Sequence, residues 1–268
     1  MDRISKALER AKKNPTPYRD PKRSKDLIED INYTHTKTVD VSEDILEKNR
    51  VISSGSNKML VDIYRVLRTR VLHRLQQNNW KVIGVTSARP EEGKTLTAVN
   101  LGISIAMEPN YSVLLVDADL RRPGVHQAFG ITPTHGLSDY LTSDVSVEEL
   151  FINPGIGSFV MLPCVKPSPT SSELLTSPKM VNLLEELKLR YTSRLIIFNL
   201  PPLLMSDDVA ALSPFLDAVL MVVEDGKTRA DDLGKSLELL EGVNLLGTVL
   251  NKCKNAKHDL HYYKEGYY

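Results

Sequence analysis

The sequence predicts an α/β protein built on a mostly parallel, doubly wound sheet flanked by helices. Three observations carry that reading. Six apolar runs of strand length fall between residues 82 and 250, stretches with helical patterning separate them, and the first run leads into a turn spelling Gly-Lys-Thr. Unbroken apolar strands need cover on both faces, and long crossovers between them make neighbours parallel.

Taken in order, Met1, Ile4, Ala7, Leu8 and Ala11 recur at helical spacing until Pro15, Pro17 and Pro21 intervene, which predicts an amphipathic helix over 1–13. The first 25 residues hold nine Lys or Arg against three acids. That charge suits an acidic membrane surface or a solvated helix resting on the domain or a partner. Residues 14–55 are polar without sustained periodicity and read as a flexible linker. A folded domain over 56–253 follows, with strands at 82–87, 112–117, 158–163, 194–198, 216–223 and 244–250. Its helices are expected at 60–77, 94–107, 137–150, 172–191, 206–213 and 228–241. Residues 254–268 form a tyrosine-rich tail.

Composition narrows the function classes. Lys and Arg together number 34, as do Asp and Glu, so no global field points to nucleic acid. Two cysteines, Cys164 and Cys253, are too few for a disulfide framework and lack zinc-ligand spacing, which points to a reducing cytoplasm. The longest apolar stretch, "FLDAVLMVV", is strand-sized and interrupted by Asp217, so a membrane role needs a partner.

"SARPEEGKTL" (87–96) has a buried strand before it and a helix after it, the context a phosphate loop needs. Such a loop curls backbone N–H groups round a phosphate, reaches across it with a lysine and offers a hydroxyl to Mg²⁺. Gly93, Lys94 and Thr95 supply these, with Ala88, Pro90, Glu92 and Leu96 completing the cradle. Ala88 stands where glycine is usual and is the smallest departure from it. Pro90 and Glu91 predict a stiffer loop.

"SVLLVDADLRRP" (112–123) ends a strand in Asp117 and Asp119, which point the same way at i and i+2. One suits Mg²⁺ or its water, the other a base near the γ-phosphate. The phosphates and their ion are therefore expected where two neighbouring strands finish. "RLIIFNLPP" (194–202) ends in Asn199, where an acid is expected to orient the Mg²⁺ shell; the amide keeps an acceptor without charge. "GTVLNKC" ends a strand at Asn251, an amide able to read a base edge or to close a turn. Of ten tyrosines, Tyr262, Tyr263, Tyr267 and Tyr268 crowd the last seven residues. They read as phosphate acceptors, or else as an aromatic tail docked in a groove.

Together with "HGLSDYL", "PSPTSSELLTSPKM" and "NLPPLLMSDD", these stretches resemble the bacterial tyrosine kinases of polysaccharide export, the BY-kinases, within the ParA/MinD-like P-loop proteins. The likeness covers about residues 56–268, and "MDRISKALERA" is similar to the start of the exosortase-associated tyrosine autokinases. The resemblance implies ATP (leaving as ADP) and Mg²⁺, with Lys94, Asp117 and Asp119 catalytic. It also implies autophosphorylation in trans within a ring-like homo-oligomer, and control of exopolysaccharide chain length and export. The ring contact would be an acid-x-x-Arg-x-x-Arg helix, here Asp62, Arg65 and Arg68. A further partner is the cytoplasmic segment of a separate transmembrane activator, holding the protein at the inner face of the plasma membrane. Asp208 matches a further family acid.

Two other readings stay open. A ParA/MinD-type ATPase switch would use a crossing cation, which Arg89 can offer, although the Lys-Gly-Gly start of that group's loop is missing. A nucleotide-binding scaffold would owe its weakened catalysis to Asn199.

Overall fold

The computed structural model of the protein describes residues 36–190 and 194–254. The expected helix over 1–13, the first part of the linker and the four tail tyrosines lie outside the described residues.

The strands are β1 (Lys37–Thr38), β2 (Val82–Ser87), β3 (Ser112–Asp117), β4 (Ile152–Asn153), β5 (Phe159–Leu162), β6 (Arg194–Asn199), β7 (Ala218–Glu224) and β8 (Leu245–Asn251). The α-helices are α1 (Glu43–Lys48), α2 (Lys58–Asn78), α3 (Lys94–Ala106), α4 (Val125–Ala128), α5 (Leu137–Thr142), α6 (Ser171–Leu175), α7 (Pro178–Arg190), α8 (Asp208–Leu212) and α9 (Ala230–Leu239). The strands form one sheet in the order β1-β4-β5-β3-β6-β2-β7-β8. Every pairing is parallel except β4 with β5. The fold class is the one the apolar runs predict.

β2, β3 and β6 are buried throughout, which is why they read as continuous apolar runs rather than alternating ones. α3 is buried from Thr97 to Ala106 and packs on this centre, its Gly102 allowing close approach. A Cβ at Gly102 would lie 2.9 Å from Phe159 Cε2 and 3.4 Å from Val113 Cγ1.

The flexible linker expected over 14–55 does not extend through its described part. α1 forms there, and Val51 and Ile52 are buried. A buried amide on α3 helps to hold it: Asn100 Nδ2 donates to Arg50 O at 2.8 Å, and Asn100 Oδ1 accepts from Ile52 N at 2.9 Å. A polar segment without periodicity is thereby held by side-chain bonds that composition does not announce. The helix expected at 137–150 stops at Thr142, because Ser143 is extended, and resumes as a 3₁₀ turn over Val147–Leu150. The one expected at 172–191 divides before Pro178, whose missing N–H suits a helix start and not an interior.

Gly102→Val is expected to destabilise the fold by roughly 1–3 kcal/mol, because fully buried Phe159 has no space to yield; a lower denaturation midpoint in urea checks it.

Candidate phosphate-binding site

β2 ends at Ser87 and α3 begins at Lys94, so the loop 88–93 turns the chain from a central strand into a helix N-terminus. Gly93 has φ 97° and so occupies the left-handed region that glycine tolerates. Ala88 is fully buried and absent from the positive-φ residues, so glycine is not needed there. Its carbonyl accepts from Leu204 N at 3.2 Å, tying the loop's start to the chain after β6. Glu91, in contrast, is held at φ 66° without being glycine. Glu92 is buried; its carboxylate accepts from Arg89 N at 3.1 Å and from Thr228 Oγ1 at 2.5 Å. Pro90 in the loop and Leu96 in the first turn of α3 are half-buried. The stiff loop expected from Pro90 and Glu91 is thus stiffened chiefly by Glu92.

Lys94 opens α3 and is buried, with Nζ 2.6 Å from Asp119 Oδ2 and 3.4 Å from Thr95 Oγ1. Asp119 also accepts from Arg122 N at 3.0 Å. Asp117 is fully buried at the end of β3, where its Oδ2 accepts from Gly124 N at 2.9 Å and Val125 N at 3.0 Å. Its other oxygen accepts from Asn199 Nδ2 at 2.8 Å. Burial pushes the Asp117 carboxyl up to about 6; the hydrogen bonds pull it down, and the neighbouring Asp119 charge raises it further.

The structure corrects one expectation of placement. β2 and β3 are not neighbours, for β6 lies between them. Register then sets Asn199 directly beside Asp117 on one side and Val85 on the other, so the amide occupies the centre of the site. Its Oδ1 is buried and has no hydrogen-bond partner among the described residues. An orphaned oxygen on the side chain that touches the Asp117 carboxylate is an oxygen donor of the kind a hard cation takes.

Asn251 stands at the end of β8, and its Nδ2 donates to Glu92 O at 2.9 Å while lying over the Cα of Gly93. The expected base-reading amide is therefore engaged with the phosphate loop. Arg89 forms a two-pronged ion pair with Asp232, at 2.7 and 2.8 Å. Asp208 is buried and holds Arg121 at 3.3 Å and Ser171 Oγ at 2.8 Å. On α2, exposed Arg65 pairs with Asp62 at 3.4 Å, whereas Arg68 reaches Ser104 O at 2.9 Å and Glu108 at 2.6 Å within its own chain. Thr228, Asp232 and Lys252 were not among the site residues read from the sequence. Only Lys252, next to Asn251 at a strand end, carried a local signal.

Residues 83–265 match the CobQ/CobB/MinD/ParA nucleotide binding domain. The tyrosine-protein kinase YwqD of Bacillus subtilis is 32% identical over 225 residues, which cover 83% of this chain and 92% of that one. The chain belongs to the bacterial tyrosine kinases of this nucleotide-binding family. The family also includes the tyrosine-protein kinase etk of Escherichia coli K12, 33% identical over 193 residues, which cover 71% of this chain and 26% of etk. The chain thus spans most of the Bacillus relative and about a quarter of the Escherichia one. The solved kinase domain of Escherichia coli ETK is 29% identical, with TM-score 0.66 over 82% of this chain and 91% of that one. Among the described residues no helix is long and apolar enough to cross a membrane.

The elevated Asp117 carboxyl fixes a sign. Its ordinary value is 3.8, so the stability it contributes is full below that and is lost as pH rises through about 6. Asn199→Asp would set a second carboxylate against Asp117, and two carboxylates this close cannot both ionise without a cation. The ligand-free variant is expected to lose roughly 2 kcal/mol at pH 8 and less at pH 5, where the pair shares a proton; thermal unfolding at both pH values checks this.

Proposed function

We propose that the protein is an ATP- and Mg²⁺-dependent protein-tyrosine autokinase. It transfers phosphate in trans to Tyr262, Tyr263, Tyr267 and Tyr268 of a neighbouring copy and thereby regulates exopolysaccharide chain length and export. The observation that carries this reading is the Lys94–Asp119 pair, 2.6 Å apart beside buried Asp117 at the strands' carboxyl ends. There one lysine and one carboxylate can separate into two roles. Lys94 leaves Asp119 to neutralise charge between the β- and γ-phosphates, and Asp119 is then available to accept the proton of an incoming tyrosine hydroxyl. A tyrosine near pKa 10 is neutral at pH 7, so a base at that position helps the attack.

Thr95, Asp117 and the Asn199 oxygen are the groups that would hold Mg²⁺, and the orphaned Asn199 Oδ1 supports the fit. When bound, Mg²⁺ supplies charge neutralisation at the transferring phosphoryl group. Asn199 offers an acceptor without charge, so the chain provides one anionic partner fewer than an aspartate would.

The partners follow the same reading: a ring of identical subunits, and the cytoplasmic segment of a separate transmembrane activator that keeps the protein at the inner face of the plasma membrane. Half-buried Asp62, exposed Arg65 and Arg68 form the proposed ring contact. Arg68 also reaches Ser104 O within its own chain, which ties α2 to α3. On this reading the kinase domain expected over 56–253 is joined by the upstream segment that includes α1, and the tyrosines of 254–268 serve as its substrate. The switch reading is disfavoured by the missing Lys-Gly-Gly start of the loop; Arg89, which could supply a crossing charge, pairs with Asp232 within its own chain.

Purified full-length protein, given γ-labelled ATP, Mg²⁺ and the activator segment, is expected to acquire label on tyrosine that disappears when the tail is deleted. Free phosphate without protein label would favour the switch, and neither product would favour the scaffold. Mixing Lys94→Met subunits with tail-deleted ones is expected to label the Lys94→Met chain. Asn199→Asp is expected to lower the Mg²⁺ concentration needed for half-maximal labelling; superimposable titrations would remove Asn199 from the metal site.

A further inference from the structure

The loop 88–93 has its only glycine at Gly93, and its shape is fixed from outside. A cradle that aims N–H groups at a phosphate must turn its carbonyls outward, and outward carbonyls left alone can rotate back. Here two consecutive ones are captured by two consecutive residues. Lys252 Nζ donates to Glu91 O at 2.6 Å, and Asn251 Nδ2 donates to Glu92 O at 2.9 Å. The captured residue Glu91 is the one held left-handed, a conformation that a non-glycine residue adopts only when its surroundings impose it. Lys252 is itself left-handed, with φ 59°, which turns it back from the end of β8.

Lys252 is anchored in turn. Its ammonium lies 3.0 Å from Glu224 Oε2, and β-sheet register places Glu224 beside Asn251. The Lys252 hydrogen bond holds the Glu224 carboxyl below the usual range, with Lys227 adding to the effect. Glu224 N donates to Thr228 Oγ1 at 2.9 Å, and Thr228 Oγ1 donates to Glu92, so the same strand ends grip the loop's side chain as well.

We propose that Lys252 and Asn251 act as positioning residues that hold the phosphate loop in its binding shape, so that affinity for a polyphosphate is set from the end of β8. The inference rests on the reading of this loop as the phosphate site. It differs from the base-edge role of Asn251, because a loop brace affects every polyphosphate whereas a base reader affects only nucleotides.

The test is isothermal titration of the full-length protein with ATP and with inorganic tripolyphosphate, which has no base, at 0.15 and 0.5 M salt and well below the unfolding midpoint. Lys252→Met is expected to weaken both ligands by a similar factor, roughly tenfold, as loss of a charged hydrogen bond implies. Lys252→Arg should recover most of the loss. The factor should persist at 0.5 M salt, where a long-range pull of the Lys252 charge on phosphate would be screened. Asn251→Ala should likewise weaken both ligands together. The proposal is overturned if Lys252→Met lowers only the thermal midpoint with affinity intact, if its effect vanishes at high salt, or if Asn251→Ala weakens ATP alone. A wild-type protein that binds neither ligand, indistinguishable from Lys94→Met, overturns the phosphate-site reading and this inference with it.

Discussion

A lysine ammonium and a carboxylate 2.6 Å apart in a nearly dry pocket form the contact on which the site depends. Burying either charge alone would cost several kcal/mol, so each makes the other's position tolerable. Lys94 is delivered by the first residue of α3 and Asp119 by the chain just beyond β3, which makes the pair a measure of how well two parts of the fold are aligned. If Lys94 serves a polyphosphate as proposed, that ligand would compete with Asp119 for the ammonium by its greater negative charge, and Asp119 would keep the hydrogen bond from Arg122 N.

Asn199 makes the same pocket less costly to assemble. Register obliges the residue at the end of β6 to face Asp117, and a third acid at that point would add repulsion to a carboxyl already raised by burial. The amide donates instead. If the pocket takes a cation as proposed, what the ligand-free state gains would be given up there in attraction.

The sheet was legible because its central strands β2, β3, β5 and β6 are buried throughout; six apolar runs lie within two residues of β2, β3, β5, β6, β7 and β8. The phosphate loop and the Asp117–Asp119 pair were legible for a related reason, since their chemistry lies in contiguous residues at strand ends. Strand order was not, because nothing local in 194–199 states that β6 inserts between β2 and β3. Arg89 with Asp232, 143 positions apart, and Lys252 with Glu91, 161 apart, are contacts that only the assembled fold creates. Arg68 with Ser104 O, 36 positions apart, is a further contact of this kind.

Asn100 has an implication for where the autonomous unit begins. Its two hydrogen bonds to Arg50 and Ile52 sew the chain ahead of α2 to the middle of α3, the helix whose first turn presents Lys94. A protein trimmed at Ser56, where the sequence pattern changes, would leave that amide facing a trench once filled by Val51 and Ile52. Water would enter against the underside of the helix that carries the lysine, so the upstream arm belongs to the folded body that supports the pocket rather than to its packaging.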